Sequence, residues 1–453
     1  MRVHFISIGG SVMHQLAIAL HRKGYIITGS DDEIFEPSKS NLAKEGLLPQ
    51  KNGWDANNIT ADADAIILGM HAKNGNPEID RAIELGLPIY SFPEYIYQES
   101  KDKLRVAVGG SHGKTTTTSM IMHVLKHAQK KFDYLVGARL DGFDQSVNIT
   151  DAPVIICEAD EYPASAIEKR PKFHFLFPQV AIITGIAWDH INVFPTFENY
   201  LDQFKIFIQK IESGGLLIYN QTDEILSQLI LDNFREDLVY QPYGLPSFQI
   251  SNGITKLIIE GVEGELNVFG NHNLLNIHAA WFVCKFLQID VITFVKAIST
   301  FTGASKRLER LVENEHTIVF RDFAHAPSKV KATMEAVSSQ FANRSLIAVL
   351  ELHTFSSLNE NFMVEYKGSL DLANEAVVFY SNHALQLKGM PELKKEIVLQ
   401  GFSKKGMHVM NTREDLQMWL QQQNYREANL VLMSSGNFDG LDLHKICQEI
   451  ISQ

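Results

Sequence analysis

Apolar residues fall into short runs separated by longer amphipathic stretches, the pattern of parallel strands joined by helices. Strands are predicted at 3–8, 25–28, 65–68 and 88–91, then at 154–157 and 180–184. A further series is predicted at 317–321, 345–350, 375–380 and 429–433, with a helix starting at Pro327 and another closing the chain. Between the first two series an apolar run enters VAVGGSHGKTTTT (106–118), and Ile121, Val124, Leu125 and Ala128 follow at helical spacing. The fold expected is α/β, in segments 1–104, 105–303 and 304–453, the outer two Rossmann-like and the middle one of P-loop type.

At 453 residues the chain is too long for one core. With 45% hydrophobic and 21% charged residues it reads as an ordinary globular protein. Lys and Arg number 41 against 53 Asp and Glu, a net charge of −12, which speaks against a general nucleic-acid or membrane-surface binder. Three cysteines with no CxxC pair suggest neither a disulfide framework nor a zinc knuckle. No apolar run reaches the roughly 20 residues of a membrane span, and a reducing cytoplasm is expected.

The sharpest chemistry lies in the glycine turn. N–H groups freed by Gly109, Gly110 and Gly113 can face a polyphosphate, with Lys114 neutralising its terminal groups and the Thr115 hydroxyl placed for Mg²⁺. The spacing is G-x-x-x-G-K-T, one residue short of the Walker loop because Val108 stands at its first position. The plain alternative is a glycine-rich turn with a solvated lysine, and Lys114 itself is read as an exposed loop residue whose loss leaves the fold intact. Strands ending at Glu158 and before His190 would bring both to the same sheet edge. Gly9 and Gly10 close the first βα turn, and Ser30 and Asp31 follow the second strand, where a Rossmann unit contacts ribose or phosphate. Strict G-x-G-x-x-G is absent there, so a structural turn stays equally open. Asn273, within GNHN (270–273), caps a helix or contacts a nucleotide.

GGSHGKTTTT (109–118), EADEY (158–162), DHIN (189–192), GNHNLLN (270–276), SKRLE (305–309) and DFAHAP (322–327) occur in this order, and together they resemble the Mur ligases over nearly the whole chain. That resemblance implies an ADP-forming ligase of peptidoglycan synthesis or recycling, using ATP and Mg²⁺ through an acyl phosphate. It implies Lys114, Glu158, His190 and Arg307 in catalysis, and Thr115, Glu158 and His190 around the metal. ATP would meet Gly110, Ser111, Gly113, Lys114, Thr115, Thr116, Asn273, Asn276, Arg307 and Asp322. A UDP-sugar would meet Gly9, Gly10, Ser30, Asp31, His71 and Asn76. The arrangement is similar to that of family members acting on UDP-N-acetylmuramate. EADEYPASAIEKRPKF and MSSGNFDGL favour the tripeptide L-alanyl-γ-D-glutamyl-meso-diaminopimelate as the incoming amine, with L-alanine the alternative. LELHTFSSLN (350–359) matches neither pattern and supplies His353, Thr354, Ser356 and Asn359 as amine-pocket residues. A P-loop kinase or ATPase and a nucleotide-binding dehydrogenase are the rivals; the second leaves Lys114 unexplained.

Overall fold

The computed structural model describes residues 1–137, 140, 142–188, 193–251, 253–303 and 308–452. The chain divides into two compact units, residues 1–186, 197–244 and 278–294 in the first, and 187–196, 245–277 and 295–453 in the second.

The first unit holds two sheets. β1 (Arg2–Ile6), β2 (Ile26–Ser30), β3 (Ala65–Leu68) and β4 (Ile89–Ser91) form a parallel sheet in the order β2-β1-β3-β4. β1 stops two residues before its predicted end because Ser7 turns to φ 77 and the Ser7 and Ile8 N–H groups both donate to the Ser30 carbonyl. The other sheet contains β5 (Leu104–Gly109), β6 (Asp133–Leu135), β7 (Val147–Asn148), β8 (Val154–Glu158), β9 (Val180–Ile183), β10 (Leu216–Asn220) and β11 (Val239–Tyr243). Its order is β11-β10-β9-β5-β8-β6-β7, with only β7 antiparallel to its neighbour. β5 is therefore flanked by two later strands, and its carboxyl end opens at a topological switch point where α/β sheets receive ligands.

In the second unit β12 (Ser247–Ser251), β13 (Ile254–Ile259) and β14 (Val262–Leu266) form an antiparallel meander. A larger sheet has the order β15-β16-β20-β17-β18-β19, from β15 (Glu309–Glu313), β16 (Thr317–Asp322), β17 (Ser345–Glu351), β18 (Glu375–Phe379), β19 (His408–Met410) and β20 (Ala428–Met433). Its inner strands are apolar on both faces because helices cover both, as parallel sheets require. Met334 and Val337 of helix Pro327–Gln340 pack on one side, Trp419, Leu420 and Ile446 on the other. Residues 245–277 belong with this sheet: Phe269 meets Phe320 and Phe341 edge-on, and the Thr255 hydroxyl donates to Gln340.

Cys157, Cys284 and Cys447 are buried and unpaired. Among the described residues no helix is long and apolar enough to cross a membrane.

Candidate active site

β5 delivers its chain into the glycine turn, and helix Lys114–His127 starts immediately after Gly113, which is left-handed at φ 79. The turn is pinned from β9: the Ser111 N–H donates to the Gly185 carbonyl at 2.9 Å, and the Thr184 hydroxyl donates to the His112 carbonyl. Phe173 and Phe207 stack with ring centroids 4.7 Å apart, and a β-carbon on Gly109 would touch both. The helix N-terminus, with its free N–H groups and positive dipole end, thus sits on a packed support, ready for an anion.

Lys114 is not the exposed residue expected of it. Its side chain is 13% exposed, and Nζ donates at 2.7 Å both to the Gly110 carbonyl and to Glu161, itself 1% exposed. Burial alone would lower the Lys114 pKa; the carboxylates of Glu161, Asp160 and Glu158 outweigh it and raise the value. The ammonium is therefore held charged beside the helix start. Thr115 donates its hydroxyl to Glu158 Oε1 at 2.7 Å, and the Gly137 N–H donates to Oε2 at 2.7 Å. A hydroxyl and a carboxylate so joined are the oxygen ligands Mg²⁺ takes, so these residues fit that ion. Ser111 lies buried in the glycine turn and Thr116 buried at the start of the helix. His190 and Arg307 lie outside the described residues.

Glu161 and Tyr200 were not among the residues read from the sequence. The Tyr200 hydroxyl lies 3.2 Å from Glu161 and 2.8 Å from the Ser111 hydroxyl, tying lysine, carboxylate and turn together. Glu161 was visible within EADEY, but its partner depends on how the chain folds back afterwards. Lys172 bonds Asp160 at 2.7 Å, Pro163 bridges to Pro171, and the Phe173 N–H donates to the Asp160 carbonyl. EADEYPASAIEKRPKF is thus one physical hairpin rather than two separate motifs.

In the smaller sheet of this unit the Gly9 N–H donates to Asp31 at 2.7 Å, and His71 Nδ1 lies 3.1 Å from Asp31 and 3.0 Å from Asp32. Gly10 accepts from the His14 N–H at 3.0 Å. Ser30 and Asn76 turn inward: the Ser30 hydroxyl donates to buried Glu78, and Asn76 caps helix Pro77–Glu84 by accepting from the Glu78 N–H. Hydrogen bonding to Asp31 raises the His71 pKa against the opposing effect of burial. Stability from this pair is therefore complete below the free imidazole value and is lost as pH rises through the folded one. With 49% of the His71 side chain exposed, water screens most of it. We expect a proton NMR titration of His71 to give a midpoint above the ordinary imidazole value of about 6.5, and Asp31→Asn to bring it down; an unmoved midpoint would refute the pairing.

In the second unit, Asp322 accepts from the Leu308 N–H at 3.2 Å and from the Thr333 hydroxyl. The Asn273 amide donates to the Phe269 carbonyl, four residues earlier, at 2.9 Å, and Asn276 is buried. Of the four amine-pocket residues, Thr354 exchanges hydrogen bonds with Ser357 in a tight turn and Asn359 caps the 3₁₀ helix Glu360–Tyr366. His353 and Ser356 remain half-buried.

The description "Mur ligase family, catalytic domain" matches residues 2–103, and "Mur ligase middle domain" matches 108–284. A UDP-N-acetylmuramate–L-alanine ligase of Caldicellulosiruptor bescii is 31% identical over 389 residues, 83% of this chain and 82% of that one. A UDP-N-acetylmuramate–L-alanyl-γ-D-glutamyl-meso-2,6-diaminoheptandioate ligase of Haemophilus influenzae is 28% identical over 358 residues, 77% and 79% of the two chains. The solved UDP-N-acetylmuramate–alanine ligase of Thermotoga maritima superposes with a TM-score of 0.66 at 22% identity, over 100% of this chain and 98% of that one. The chain belongs to the Mur ligase family, with its α/β three-domain architecture. It is an ATP-dependent, ADP-forming ligase.

Proposed function

We propose that the chain uses ATP to activate the lactyl carboxylate of UDP-N-acetylmuramate and joins it to L-alanyl-γ-D-glutamyl-meso-diaminopimelate, a peptidoglycan-recycling reaction. The observation that carries this reading is the cradle after β5, where Lys114, Thr115 and Glu158 converge at one helix N-terminus. Residues 1–104 would bind the UDP-sugar through Gly9, Gly10, Asp31 and His71, residues 105–303 would bind ATP, and residues 304–453 would receive the amine. Ser30 and Asn76 support that first site indirectly, through Glu78.

Transfer of the γ-phosphoryl group to a carboxylate concentrates negative charge, and so does collapse of the tetrahedral species formed by amine attack. Lys114 meets that charge with a fixed cation. Thr115 and Glu158, with His190, would hold Mg²⁺, which when bound polarises the phosphate oxygens. Asn273, Asn276, Arg307 and Asp322 are further ATP-side residues by resemblance.

The hairpin 158–173 and the closing MSSGNFDGL loop support the tripeptide. The alternative amine, L-alanine, has its own support in the 31% identical relative named for it. An assay of ADP-coupled phosphate release with ATP and UDP-N-acetylmuramate decides between them. We expect kcat/KM for the tripeptide to exceed that for L-alanine by about tenfold or more, since a pocket that anchors a larger substrate loses those contacts with a smaller one. A preference for L-alanine would overturn the recycling assignment and leave the ligase chemistry standing.

A further inference from the structure

The carboxyl edge of the six-stranded sheet carries an acid–imidazole pair in which His353 is one of the amine-pocket residues and Glu351 has no role above. Glu351 ends β17 and is buried. Its Oε2 accepts from the Ser434 hydroxyl and, at 2.8 Å, from the Phe438 N–H. Its Oε1 accepts no hydrogen bond among the described residues and lies 3.8 Å from His353 Nδ1. That nitrogen is itself buried without a hydrogen bond. The His353 side chain keeps 34% exposure, and with Nδ1 buried that exposure falls on the remainder of the side chain, of which Nε2 is the one other polar atom.

Two features keep the pair in place. Gly436 lets the imidazole lie flat against the loop after β20; a β-carbon there would stand 2.8 Å from the ring and 2.9 Å from the Glu351 carboxylate. In the same loop Phe438 and Asp439 are both left-handed, at φ 52 and 55. Such conformations persist where surrounding contacts over-determine them, and the Glu351 carboxylate, bonded to Ser434 and Phe438, is such a contact.

We propose that Glu351 is a positioning residue that draws the Nδ1 proton of His353 toward itself and leaves Nε2 to accept a proton from the incoming ammonium. The inference rests on the ligase reading, in which the loop after β17 receives the amine. An ammonium has no lone pair with which to attack. One of its protons passes to Nε2, and the freed nitrogen pair forms the C–N bond to the acyl-phosphate carbon. Collapse of the tetrahedral species then breaks the C–O bond to phosphate, which leaves with the second proton lost from nitrogen. The imidazolium returns its proton to solvent. The step is the same for L-alanine and for the tripeptide, because both present an L-alanyl α-ammonium.

Hydroxylamine, uncharged at neutral pH, traps an acyl phosphate as the hydroxamate without needing a base, so it separates the two halves of the reaction in the full-length protein. Each variant is read as its ratio of amide to hydroxamate, which cancels changes in activation of the carboxylate. His353→Ala is expected to lower the ratio about 100-fold, the lower end of the range for a positioned general base, and Glu351→Gln, which acts only through the imidazole, about tenfold. Imidazole added to His353→Ala should restore part of the amide, a rescue that a purely structural histidine would not show. If Glu351→Gln fails to fold and gives no hydroxamate, Ser434→Ala, which loosens the same carboxylate, takes its place with the same expected fall. Ratios within about twofold of wild type, or a His353→Ala defect that imidazole leaves untouched, would overturn the proposal. A wild-type protein that yields no hydroxamate would overturn the ligase reading instead.

Discussion

Lys114→Ala is expected to lower turnover by about 10³-fold or more and also to lower the melting temperature. The first effect follows from loss of the cation that faces the transferring phosphoryl group. The second follows from what is left behind: Glu161, 1% exposed, loses its cationic partner at 2.7 Å and keeps only uncharged help such as the Tyr200 hydroxyl at 3.2 Å among the contacts described. Breaking such a pair from one side costs roughly 3 to 5 kcal/mol, far more than the near-zero cost of removing an exposed lysine. Adding Glu161→Gln should therefore recover much of the melting temperature without recovering turnover. Calorimetry and phosphate release on the single and double variants separate the two effects. Near-normal turnover in either would refute the phosphate role of Lys114, and a single variant as stable as wild type would refute the buried pair.

Gly110→Ala is the other large effect. Gly110 sits at φ 125, where an L side chain is strained, and its β-carbon would collide with the Thr184 hydroxyl and stand 2.8 Å from the Thr184 backbone nitrogen. Neither neighbour can yield, because the Thr184 N–H donates to the Gly109 carbonyl within the sheet. The turn must shift instead, and displacing a phosphate cradle by about 1 Å costs on the order of 10²-fold in rate. Gly46→Ala provides the contrast: it is also left-handed, at φ 72, but nothing lies within 4 Å of its β-carbon. Only the backbone penalty of about 1 kcal/mol applies there. Turnover and melting curves for both variants test this, and equal effects would show that crowding at Gly110 is not what matters.

The glycine turn was legible because its determinants are local: a strand, three glycines, a lysine and a periodic helix lie within two dozen residues. The inner strands of the six-stranded sheet, and β5, β8 and β9 of the seven-stranded one, were legible for the same reason, as uninterrupted apolar runs, whereas β6 and β10, also inner strands, were not read. β15 was not, because it is a half-exposed edge strand with charges along its length and reads as a solvated stretch. The meander β12–β14 was missed although β13 does alternate buried and partly buried positions. Long-range polar pairing was hidden altogether. Nothing in the sequence couples Ser30 to Glu78 or Glu351 to Ser434, 48 and 83 residues apart, and such pairing decides which polar residues face inward.

The three cysteines divide themselves over the structure: Cys157 in β8, Cys284 in helix Asn271–Phe286 and Cys447 in the last helix. Burial pushes the Cys157 thiol up to about 12 and Cys447 to about 11, and raises Cys284 as well. Electrophiles and oxidants react with thiolates, which are vanishingly scarce at such sites in the native protein. Alkylation at each position is therefore gated by local opening of the element that carries it. The native sequence contains three chemical clocks for its own breathing, one of them in the strand that ends at Glu158, and none has to be engineered.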